Sequence, residues 1–240
     1  DFWSALWCRA LTGIGWAGTY MTGLKLLADR VDAKMMSRAT AGHAASIGIS
    51  GALSFATAEW LTYLAGWQSA FLVASLSAVC AWLIIAIIVP AQSHKPAKAA
   101  DGKGLYDFGP VFKNRSAMAY ALAYCVHTLE MSALRGWGVA FLAYVAASTG
   151  NKEAVISPAV LVTALGLIGT FASLFGNEMA IRLGRRKLVQ SAMFASVLLG
   201  GTIGFLGTAS YTIAAGLMLF YGFVIWLDSL SLTAGAAGPA

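Results

Sequence analysis

Seven apolar stretches alternate with polar segments along the chain, and each is long enough to cross a bilayer, which takes roughly 20 apolar residues. The pattern predicts spans at Phe2–Leu27, Gly42–Tyr63, Ala70–Val89, Ser116–Ser148, Pro158–Ile181, Leu188–Leu206 and Tyr211–Leu232. Proline suits the first turn of the fifth. Segment 91–115, AQSHKPAKAADGKGLYDFGPVFKNR, is the one long polar stretch. It reads as a linker between residues 1–90, with three spans, and 116–240, with four. Backbone groups in lipid must bond within their own helix, so the expected fold is an all-α membrane protein, a polytopic transmembrane helix bundle without sheet.

Polar and small residues within the spans give each helix a face. Arg9, Gly13, Trp16 and Tyr20 share one side of the first span, and Gly15, Gly18 and Thr22 form a small-residue stripe on another. Ala44, Gly48 and Ala52 make a second stripe, and Thr163, Gly166, Thr170, Ser173 and Asn177 a polar one. Such stripes let helix backbones approach closely in lipid. The third span has no ionisable residue and reads as lipid-facing support.

The fourth span departs most from this pattern, because His127, Glu130 and Arg135 lie near its middle. A charge at that depth costs about 2.5–3.5 kcal/mol on insertion scales and usually faces protein or water. His127, Glu130, Leu134 and Gly138 fall on one face with Arg135 to its side. Glu130 and Arg135 are therefore expected to find partners on other helices. Gly136 and Gly138 flank Trp137 and offer a place to bend or unwind. Glu130 is the leading candidate for proton or substrate coupling, with His127 and Asp228 as supporting groups: His127 one turn away to tune it, Asp228 near the end of the last span, where a solvated acid is the competing reading. Arg135 and Arg9 are candidates for an anionic substrate group or for structural counter-ions. Arg9, close to a helix end, can also snorkel to the interface. Glu59 reads as interfacial.

Composition agrees with the spans. The chain has 240 residues, 59% hydrophobic and 11% charged, with mean hydropathy +0.73, against about 25% charge in soluble domains. A net charge of +6 raises nucleic acid as a partner, but the basic residues cluster in loops. All 16 Lys and Arg except Arg9, Arg135 and Lys152 fall in or beside the segments after spans one, three and five. Such asymmetry puts loops 28–41, 91–115 and 182–187 in the cytoplasm and the first residue outside. Cys8, Cys80 and Cys125 lie within spans and form no disulfide framework. No signal peptide precedes the first span and the chain opens almost inside a helix, so it is expected to be a piece of something longer.

Three motifs then come together. WCRALTGIGWAGTY carries Arg-x-x-x-Gly-x-Gly at Arg9, Gly13 and Gly15, and AGWQSAFLV carries Gly-Trp-x-x-x-Phe at Gly66, Trp67 and Phe71. The end of span five carries Arg-x-Gly-Arg-Arg at Arg182, Gly184, Arg185 and Arg186. Together they resemble the major facilitator superfamily (MFS) of secondary transporters, over helices four to ten of twelve. The family's basic turn begins with Asp where this chain has Ile181, and Glu178 stands one turn earlier as a substitute. Its antiporters carry Gly-Pro in the fifth helix, where this chain reads IGISGAL, so antiport is unsupported. The resemblance implies a proton-coupled secondary active transporter that moves a small organic solute by alternating access. Its partners would be that solute, a proton or other ion, membrane lipid and the remaining helices, in a plasma membrane (the inner membrane if bacterial). No cofactor, metal site, catalytic residue or nucleic-acid partner is implied.

Two other classes compete. Seven spans with an outside start also describe a receptor-like or retinal-type protein, but Tyr211–Leu232 lacks a Schiff-base lysine. An intramembrane enzyme could use His127 and Glu130, yet no second His is assigned to a span and no His-Glu-x-x-His or Gly-x-Ser-x-Gly pattern occurs.

Overall fold

Helices form wherever the apolar runs predict them, and most extend beyond the apolar part. The computed structural model describes residues 1–89, 109–149 and 156–232. Among these the elements are α1 (Phe2–Arg30), α2 (Ala33–Ala65), α3 (Trp67–Ile88), α4 (Gly109–Lys113), α5 (Arg115–Ser148), α6 (Pro158–Leu183), α7 (Arg185–Leu206) and α8 (Tyr211–Trp226), with no strand. Ser157 and Ser210 cap α6 and α8, their hydroxyls accepting from Val160 N–H and Ile213 N–H at 3.2 Å.

Segment 28–41 is not a loop: only Val31 and Asp32 interrupt the helices, because its Ala, Met and Lys residues favour helix once past the apolar core. The AGWQS turn shrinks to Gly66, at φ 82°, and the basic turn to Gly184, at φ 90°, a left-handed backbone that favours glycine at both joints. Of the expected linker, residues 91–108 lie outside the described residues, while Gly109–Lys113 form α4 against α5 and Arg115 starts α5. Lys152 also lies outside them. Helix α5 runs unbroken through Gly136 and Gly138. Gly138 permits close packing instead, since a Cβ there would meet Val162 at 3.3 Å and Met218 at 3.4 Å. The last span, in contrast, is interrupted at Leu227–Asp228 and resumes over residues 229–232.

The core lies among α5, α6 and α8, around Leu134, Leu142, Val145, Val162, Leu165 and Met218. Helix α2 joins it edge-on to α6, and the two small-residue faces close on each other. A Cβ on Gly166 would meet Ala52 Cβ at 2.6 Å, and one on Gly48 would run into Thr170. Ala56 N–H donates to Thr163 Oγ1 at 3.1 Å. These pairs run in opposite order along the two helices, so α2 and α6 are antiparallel. The stripe on α1 has no such partner: Gly15 and Gly18 face open space, and α1 meets α2 chiefly where Tyr20 and Gly23 touch His43. Helix α3 has no buried residue.

By length and apolarity four segments among the described residues suffice to cross a membrane: Trp67–Ile88, Pro158–Leu183, Arg185–Leu206 and Tyr211–Leu232. Helices α1, α2 and α5 are long enough but less apolar. They carry the ionisable and small residues, and all three line the internal cavity described next.

Candidate functional site

A cavity of about 150 Å³ opens where α1 and α2 meet α5, α6 and the α8 segment. Its walls include Trp16 and Tyr20 from α1, Gly48 from α2, Arg135 from α5, Ser173 from α6 and Trp226 from α8. Tyr20 is held by stacking on both sides, with ring centroids 6.3 Å from Trp16 and 5.3 Å from His43. Arg135 lines the cavity with Cζ 4.8 Å from the Trp226 ring centroid, an arrangement that attracts the cation to the ring face. Trp226 is set by Gly169, where a Cβ would meet its indole at 2.5 Å. The guanidinium Nη2 is buried and has no hydrogen-bond partner.

Glu130 lies away from this cavity. Its Oε1 accepts from the hydroxyls of Ser196 on α7 and Tyr221 on α8. The expected partners on other helices are thus neutral hydroxyls for Glu130 and an indole face for Arg135.

His127 does not tune Glu130 directly. Its Nδ1 stands 3.1 Å from Asp228 Oδ1, and both residues are 2% exposed. Asp228 is therefore no solvated helix-end acid. The break in the last span puts it inside the bundle, where Gly176 gives it room: a Cβ on Gly176 would overlap the Leu227 carbonyl, with the carbonyl carbon at 2.7 Å. The approach to His127 is not aligned as a hydrogen bond. Asp228 Oδ1, His127 Nε2 and the fully buried Ser231 Oγ have no hydrogen-bond partner.

Arg9 is exposed and lines a wider hollow of about 1090 Å³ along α1, α2 and α3 with Glu59, apart from the Arg135 cavity. Glu59 accepts from Ser157 Oγ at 2.8 Å, which ties the end of α2 to the start of α6. Tyr211 donates to the Ile156 carbonyl at 2.6 Å at the same end. In the basic motif Arg182 alone sits in the last turn of α6, where the helix dipole favours it. Its guanidinium donates to Glu178 Oε1 at 2.9 and 3.1 Å, an exposed ion pair within α6. Arg185, Arg186 and Lys187 do not cap α6; they open α7, where the dipole opposes them. Arg185→Gln with Arg186→Gln is expected to leave the Tm unchanged or raise it slightly, since each charge opposes the dipole by about 0.3–1 kcal/mol. A fall in Tm during thermal unfolding in detergent would show that these arginines hold contacts of their own.

The residues missed from the sequence are Ser196, Tyr221, Trp226 and His43. His43 lies inside α2, so a second histidine does occupy a predicted span. The aromatic and hydroxyl residues gave no signal within apolar runs, whereas His43, at the edge of Gly42–Tyr63, did.

These features define a polytopic helix bundle that holds a mostly apolar cavity with one arginine between sequence-distant helices. Residues 1–236 match the Major Facilitator Superfamily, and the chain belongs to that family of transporters. No curated protein and no solved structure matches it.

Proposed function

We propose that the chain forms part of a proton-coupled secondary carrier for a small organic solute. Two bundles, residues 1–90 and 116–240, would rock about the cavity, with 91–115 as their cytoplasmic linker. The observation that carries this reading is the separation of two polar sites on α5. Arg135 faces the cavity shared with α1 and α2, and Glu130 faces Ser196 and Tyr221 on α7 and α8. A carboxylate only accepts hydrogen bonds, and a carboxylic acid also donates one. Protonation of Glu130 would remove the charge that strengthens the two bonds it accepts from Ser196 and Tyr221, and so loosen the link from α5 to α7 and α8. Solute entering beside Arg135 would act on the other side of the same helix.

The charge asymmetry supports a plasma-membrane orientation with the first residue outside and the basic segments in the cytoplasm. The Glu59–Ser157 and Tyr211–Ile156 bonds gather at one end the helix termini that this orientation places outside. In this reading the open stripe on α1 receives the remaining helices of the N-terminal bundle, and lipid covers α3.

The test is Glu130→Gln in the complete carrier, reconstituted in vesicles and compared with the parent across a pH gradient. Loss of gradient-driven uptake with solute exchange retained is the expected result. Unchanged uptake and pH dependence would end the coupling role for Glu130.

A further inference from the structure

Resting on the carrier reading above, the geometry points to a substrate class: a small monocarboxylate with a short apolar or aromatic body, bound through its carboxylate to the guanidinium of Arg135.

Arg135 is the one charged side chain among the described residues lining the cavity. Its Nη2 is buried without a hydrogen-bond partner. The acids nearest in the core are engaged elsewhere, Glu130 by Ser196 and Tyr221 and Asp228 by His127. A cation left uncompensated at membrane depth is costly, which favours an anion that arrives and leaves. Trp226 lies 4.8 Å from Cζ and Nη2 is packed near Gly51, so an anion in the cavity would meet the donor edge on the cavity side of the guanidinium. That edge matches the plane and spacing of a carboxylate, and a lysine could not reproduce it. One cation calls for one negative charge.

The rest of the wall sets the body of the molecule. Trp16, Tyr20, Met131 and Leu174 give it aromatic and aliphatic surface. A volume of about 150 Å³ is that of an apolar cavity which takes up benzene. A benzoate-sized acid fits this space, with its ring toward α1 and its carboxylate toward α5.

The experiment measures Tm shifts and Kd for the purified complete carrier in detergent, with acetate, butyrate, benzoate and phenylacetate each set against its amide. At least one acid is expected to bind where its amide does not. Arg135→Lys should weaken that acid by about 10- to 100-fold, and Arg135→Gln should abolish the shift. The inference is overturned if no acid binds, if amides bind as well as acids, or if a folded Arg135→Gln protein binds like the parent. The acid–amide comparison uses the parent protein, so it decides even where a variant fails to fold. Binding needs no gradient: acid binding without proton-driven uptake would overturn the coupling and leave this inference standing. Proton-driven uptake of an uncharged or cationic solute would do the reverse.

Discussion

Gly176→Ala is expected to lower the Tm of the carrier and to abolish transport, although it adds a single methyl group to a membrane helix. In an unobstructed helix the same change stabilises by roughly 0.5–1 kcal/mol. Here the new Cβ would overlap the Leu227 carbonyl, 2.7 Å from its carbon and 2.9 Å from its Cα. These are backbone atoms at the break in the last span, and no rotamer change can move them aside. Overpacking of this kind costs about 1–3 kcal/mol, or several degrees of Tm at this chain length. The displaced segment would carry Asp228 away from His127. Gly216→Ala on α8 is the control, since nothing lies within 4 Å of its Cβ position. It should leave Tm and transport as they are or raise Tm slightly. Equal behaviour of the two variants would show that Gly176 is not a contact point.

That contrast also marks what was legible in the sequence. Every predicted span is a helix, because a continuous apolar run has little alternative in lipid. The helix ends were less legible, since Ala, Met, Lys and Arg continue a helix beyond the apolar core, as residues 28–41 do. The faces were legible and their partners were not. Periodicity marks Ala44, Gly48 and Ala52 as one close-packing stripe and Thr163, Gly166 and Thr170 as another. Nothing in it says that α2 and α6 meet along those stripes, or that the stripe on α1 faces open space. The same limit applies to the charges. Glu130, Arg135, His127 and Asp228 stood out because ionisable residues are rare in spans. Their partners Ser196, Tyr221 and Trp226 look like ordinary members of apolar helices. The burial of Asp228 rests on a close approach between residues far apart in sequence, Gly176 and Leu227.

The final prediction concerns the buried pair His127–Asp228, whose measured coupling should report whether it is ionised. Neutral hydrogen bonds between membrane helices average about 0.6 kcal/mol in double-mutant cycles. Removing one member of a buried ion pair costs about 3–5 kcal/mol, because the other charge is left without a counter-ion. Both residues are 2% exposed and their side chains stand 3.1 Å apart. Two of their polar atoms, His127 Nε2 and Asp228 Oδ1, gain no hydrogen bond. With no aligned hydrogen bond between the two side chains, an ion pair is what would account for their close approach. The cycle of His127→Ala, Asp228→Ala and the double variant, followed by unfolding in detergent, should therefore give a coupling near 3 kcal/mol. Each single change would be severe, and the double change less than their sum. A coupling near 0.6 kcal/mol would mark a neutral contact. It would leave His127 and Asp228 as packing between α5 and the broken end of α8.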